Sequence, residues 1–151
     1  MRRRVASDVI NALVNRRRKG KNGMYEYRCE LVKIIDGDTI DVNLDLGFEV
    51  VLKKQRIRLY GINTPESRTR DLEQKKYGLA AKARLRELLE EANQITVKTE
   101  IDKKARGKYG RILGTIYAGS TNINNLLVDE GHAIAYYGGT KRTNKWWLKG
   151  E

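Results

Sequence analysis

From Tyr25 onward the chain alternates between apolar and polar residues. Tyr25, Tyr27, Cys29 and Leu31 are interleaved with Glu26, Arg28 and Glu30, the period of a strand with one face toward a core. Beyond the stretch "DGDT", Ile40, Val42, Leu44 and Leu46 alternate strictly with Asp41, Asn43 and Asp45, so the two runs predict a hairpin turned by Asp36-Gly37-Asp38. A third run, residues 48–62, places Ile57 and Leu59 on one face and Arg56, Arg58 and Tyr60 on the other, pointing away from the core. Then the period changes. Ala81, Leu85, Leu88, Leu89 and Ala92 recur at helical spacing, and two more strands follow through Ile95, Val97, Thr99 and Ile101 and through residues 111–118. Ile123, Leu126 and Leu127 form the inward face of a short helix with Gly131 suited to its C-terminal cap. Five strands with an interposed helix predict an α+β, mainly β fold: a five-stranded OB-type barrel with two to three flanking helices, an architecture that often handles oligonucleotides.

The pattern is weaker before Tyr25. Val5, Ile10, Leu13 and Val14 can share one face of a short helix, and "NRRRKGKNG" after them reads as a linker. Residues 1–23 are therefore expected to form a basic extension, either a solvated tail or an arm adding phosphate contacts, and residues 24–151 a single domain. Charge sharpens this division. Eight basic residues against Asp8 give the first 23 residues +7, leaving +5 of the chain's total of +12 for the remainder. That bias favours polyanionic partners, nucleic acid before anionic membrane. No window is apolar for long enough to span a membrane, and no helix joins a large apolar face to a basic one. Ser7, Asp8 and Asn11 interrupt the stretch after the first arginines, making a poor signal peptide. The expectation is an intracellular, cytoplasmic protein, a phage-encoded one included, acting as a monomer. Cys29 is the only cysteine, which excludes an intrachain disulfide; its alternating neighbours place it on a strand's inner face.

Three stretches can carry chemistry. In "DGDT" the plain reading is a turn, but the Asp38 carboxylate leaves that turn as a ligand for a hard cation such as calcium or magnesium. In "RLYGINTPE" Pro65 fixes a bend that Thr64 can cap. The same string also presents Arg58, metal-binding oxygens on Asn63 and Thr64, and Glu66, whose carboxylate can accept a proton from water. In "GKYGR" a tight glycine turn precedes Arg111, which can fork onto phosphate oxygens. Together these supply the parts that phosphodiester cleavage needs: a metal to offset charge, a base to aim water, and cationic donors for a pentacoordinate phosphorus. A Ser–His–Asp arrangement is unavailable, because His132 is the only histidine and follows a helix-capping glycine.

In order, "IIDGDTIDV", "RIRLYGINTPE", "KYGLAAKA", "KYGRILGTIYA" and "NNLLVDEGHA" resemble the staphylococcal-nuclease-type thermonuclease domains, calcium-dependent OB-fold nucleases, from about Tyr25 to Tyr137. The resemblance implies a nuclease cutting DNA and RNA with low sequence preference and leaving 3′-phosphate ends. Asp38 matches the family's calcium-binding aspartate, and Thr64 a residue whose backbone carbonyl reaches the calcium. Arg58 and Arg111 match the two arginines on the scissile phosphate, and Glu66 the general base. Lys108 and Tyr109 match residues contacting the nucleotide, with Tyr136 on the same surface. One departure concerns the metal: Asn63 stands where the family usually has an aspartate, which predicts weaker calcium binding. The tail beyond Tyr137 departs as well; Trp146 and Trp147 there can stack on bases or pack on the barrel. The competing reading is a nucleic-acid-binding module that keeps the fold without cleaving, and Asn63 is its best argument.

Overall fold

The computed structural model describes residues 25–100 and 112–136. The N-terminal extension, Ile101, Lys108, Tyr109, Arg111, Trp146 and Trp147 lie outside these residues. Strand β1 (Glu26–Asp36) pairs antiparallel with β2 (Thr39–Gly47) through a two-residue turn at Gly37-Asp38, where the sequence places it. Strand β2 pairs with β3 (Val50–Leu59), and β1 pairs on its other edge with β5 (Ile95–Thr99). Strand β6 (Ile112–Ala118) pairs with β5 and also runs parallel to β3, with Ile57, Arg58 and Leu59 opposite Ile112, Leu113 and Gly114. This last pairing closes β1, β2, β3, β5 and β6 into a five-stranded barrel, which removes the open sheet edge.

Among the described residues there are also three two-residue strands, too short to leave a periodic signal. They are β4 (Ile62–Asn63), β7 (Thr121–Asn122) and β8 (Ile134–Ala135), and β4 pairs with β8. Two helices flank the barrel among the described residues, α1 (Leu72–Glu90) and α2 (Ile123–Asp129). Asp71 caps α1 by accepting from the Glu73 and Gln74 amides, and Gly131, with φ +81°, follows the cap of α2 as expected.

The core follows the predicted faces. Ile40, Val42, Leu44, Ile57, Leu59, Ala81, Leu85, Leu89, Val97, Ile116, Ile123 and Leu127 are buried. Strand β1 departs from simple alternation. Its register slips at Val32 and again at Ile35, so Leu31 is followed inward by Ile34 and both Ile34 and Ile35 are buried. Such bulges increase strand bend and twist, which a small barrel requires. Cys29 is half-buried against the core, as its alternation predicts, and burial pushes its thiol up to about 12. No helix among the described residues is long and apolar enough to cross a membrane.

Candidate active site

The β1–β2 turn, the end of β3 and the loop after β4 meet at one side of the barrel. They line a polar cleft of about 150 Å³ with Asp36, Asp38, Thr39, Arg58, Asn63, Thr64, Pro65 and Glu66. The first two of the three candidate stretches thus share one wall, although Asp38 and Glu66 stand 28 positions apart in the chain.

Asp38 is the hub. Its Oδ1 accepts from the Thr39 hydroxyl at 3.0 Å, and its Oδ2 accepts from the Thr64 amide at 3.1 Å. The Arg58 guanidinium approaches the same Oδ2 at 3.4 Å. Arg58 does leave β3 on the face opposite Ile57 and Leu59, yet it does not reach open solvent. It is only 9 % exposed, and its Nη1 donates to the Leu59 and Ile62 carbonyls at 3.0 and 2.9 Å. The barrel therefore rigidifies the guanidinium by two carbonyls and a carboxylate before any ligand arrives. Backbone bonds reinforce the wall: Leu59 N–H donates to the Asp38 carbonyl, and β8 pins Asn63 opposite Ile134.

Glu66 is exposed at the cleft rim. The loop carrying it is not loose, because Thr64, Pro65 and Ser67 around it are buried and the Ser67 hydroxyl donates to an Asp36 carboxylate oxygen. The donor set is made of oxygens: two aspartates, the Asn63 amide, Thr64 and Glu66. Thr64 Oγ1 is buried and without a hydrogen-bond partner among the described residues. That chemistry fits a hard divalent cation. The charge is sparse, however, and no three His, Cys, Asp or Glu side chains cluster tightly among the described residues. Asn63 in place of an acid is consistent with that sparseness.

Lys108, Tyr109 and Arg111 lie outside the described residues. Tyr136 is half-buried beyond β8, with its amide donating to the Gly61 carbonyl, and is not among the residues lining the cleft. His132 is half-buried after α2, its amide bonded to the Leu127 carbonyl.

Sequence reasoning missed the residues that hold the cleft together. A Cβ on Gly37 would lie 2.7 Å from Ala81 Cβ and 3.1 Å from Thr64, so this turn glycine is needed where α1 crosses it. Gly78 plays the same part under the loop after β4: a Cβ there would lie 2.3 Å from the Glu66 carbonyl oxygen. Asn124 is 2 % exposed; its Nδ2 donates to the Tyr60 and Gly114 carbonyls and its Oδ1 accepts from Ile116 N–H, joining the end of β3 to β6. An isolated glycine in a helical pattern was the available signal for Gly78, since such a residue usually has a packing reason.

The sequence model of the staphylococcal nuclease homologue family matches residues 56–147. The chain belongs to this family. The match opens inside β3, includes Arg58, Asn63, Thr64, Glu66, Gly78 and Asn124, and extends past Tyr137 into the tail that the motif resemblance leaves out. Among curated relatives, a micrococcal nuclease of Shigella flexneri is 37 % identical over 123 residues, covering 74 % of this chain and 59 % of that protein. A thermonuclease of Staphylococcus hyicus is 33 % identical over 118 residues, covering 78 % of this chain and 64 % of its own length. The chain thus spans about six-tenths of the length of these two relatives.

Proposed function

We propose that this domain is a metal-dependent endonuclease that hydrolyses phosphodiester bonds of DNA and RNA with little sequence preference. The observation carrying the proposal is the single polar cleft that unites Asp38, Arg58, Asn63, Thr64 and Glu66 on a rigid barrel wall. The nuclease names of the relatives support the same reading. Asp38, Asn63 and Thr64 would hold the divalent cation, calcium by family likeness, and the bound ion would offset charge on the phosphate.

The chain's own residues account for the rest. Glu66, at the rim, takes a proton from the attacking water. Arg58 and Arg111 donate to the non-bridging oxygens as phosphorus becomes pentacoordinate, and the P–O5′ bond breaks with the 5′ oxygen taking a proton from solvent, which gives a 5′-hydroxyl and a 3′-phosphate end. Because Arg58 is already held by the Leu59 and Ile62 carbonyls, phosphate binding exchanges only its contact with Asp38. Lys108, Tyr109 and Tyr136 contact the nucleotide. Low specificity follows from contacts directed at phosphate, which carries no sequence information.

The test is incubation with single- and double-stranded DNA under calcium, magnesium or EDTA, beside Glu66→Ser and Arg111→Ala. Calcium-dependent cleavage that both substitutions abolish is expected. A second reading, a binding module without cleavage, is favoured only by Asn63; DNA that binds but stays intact under every metal would select it.

A further inference from the structure

Glu66 is the exposed member of the cleft, and its carboxylate makes no hydrogen bond among the described residues. Its position must therefore come from the backbone that carries it. That backbone is held at three points. Ahead of it, Thr64 N–H donates to Asp38 Oδ2 at 3.1 Å. Behind it, Ser67, 3 % exposed, donates its hydroxyl to Asp36 at the end of β1. Beneath it runs α1, and here the approach is closest. A Cβ added to Gly78 would stand 2.3 Å from the Glu66 carbonyl oxygen, 2.5 Å from its carbonyl carbon and 2.7 Å from the Ser67 amide nitrogen. All three atoms are main chain, so relief requires the Glu66 peptide itself to move.

Glycine at this place has a cost that helix formation does not explain. Gly78 lies in the interior of the 19-residue α1, where alanine would be the better helix former. We propose that Gly78 and the Ser67–Asp36 hydrogen bond are positioning devices that set the height and direction of the Glu66 carboxylate over the cleft. This inference rests on the reading of Glu66 as the residue that activates water. Gly78 is the seat: it lets the Glu66 peptide lie directly on the helix axis side. Ser67 is the latch: its bond to β1 stops the seated loop from lifting. A bound water activated by Glu66 is sensitive to such placement, because displacements on the order of 1 Å can cost about 100-fold in rate.

The experiment measures kcat and KM on single-stranded DNA for Gly78→Ala, Ser67→Ala, Glu66→Gln and Glu66→Asp, and for Gly78→Ala and Ser67→Ala each combined with Glu66→Asp. Folding is checked by circular dichroism and thermal melting. Expected are kcat losses of at least about tenfold in Gly78→Ala and Ser67→Ala with KM within about twofold of wild type. In the Glu66→Asp background, where the carboxylate is already withdrawn by one methylene, the same two substitutions should cost much less. Ser67→Ala removes a single oxygen and keeps the test valid should Gly78→Ala fail to fold. Unchanged kcat in Ser67→Ala, or losses that persist undiminished beside Glu66→Asp, would overturn the proposal while leaving Glu66 in its role. Wild-type turnover in Glu66→Gln would remove the reading of Glu66 and this inference with it.

Discussion

At the scale of single residues, the chain separates side chains that act from side chains that hold. Asn124 holds: its amide satisfies Tyr60 and Gly114 carbonyls and the Ile116 N–H, all in a buried seam between β3 and β6. Asn124→Ala would remove the acceptor of the Ile116 N–H and a donor from each of the Tyr60 and Gly114 carbonyls, and a loss of about 2–3 kcal/mol by urea unfolding is expected, with m unchanged. Cys29 is passive. Since burial holds its thiol up near 12 while the unfolded thiol ionises near its ordinary value, it should react with a disulfide reagent at pH 8 far more slowly in the native protein than in denaturant. A native rate matching the denatured one would contradict its packing. Asn63 bears on the metal. An added carboxylate about 4 Å from a divalent ion contributes roughly 4 kcal/mol per unit of cation charge at an effective dielectric of 20, before desolvation offsets most of it. Asn63→Asp should therefore tighten calcium binding by calorimetry, and unchanged affinity would count against Asn63 as a ligand.

At the scale of elements, the strands and helices were legible wherever the apolar period ran long enough. The β2–β3 connection was not. Phe48 and Glu49 form a two-residue turn with φ +52° and +66°, left-handed values that favour Asn-Gly, and neither residue announces a turn. Register between the flanking strands imposed this geometry over local preference. Replacing the pair by Asn-Gly should raise stability by about 1 kcal/mol or more, read from the urea midpoint. The two helices are joined by Arg84, whose Nε and Nη2 fork onto Glu130 at 2.7 and 2.9 Å while Nη1 reaches Glu87. The hydrogen bond from Arg84 holds the Glu130 carboxyl below its usual range. A carboxylate depressed in the folded state adds stability above its unfolded pKa and loses it as pH falls. Glu130→Gln should accordingly lower the melting temperature slightly at pH 7, with the difference from wild type shrinking as pH falls below the ordinary carboxylate range.

At the scale of the whole molecule, charge and closure decide behaviour. With +12 overall and +7 of it in residues 1–23, affinity for single-stranded DNA should fall steeply with salt. Removing residues 1–23 should flatten that slope if the extension contributes phosphate contacts, and leave it unchanged if it is only a solvated tail. Titrations at several salt concentrations separate the two.

Much was determined by sequence alone: five strands from period-two alternation, flanking helices from their spacing, a charge bias suited to polyanionic partners, and the kinship from five ordered motifs. These are local or additive properties, so a linear reading reaches them. Only the tertiary structure decided that β3 and β6 close the barrel, that Arg58 is turned back into a buried bond with Asp38, and that Gly37 and Gly78 mark where α1 meets the cleft. Each of these depends on contacts between residues far apart in the chain. Periodicity records which face a residue occupies, whereas the identity of what presses on that face is settled by packing.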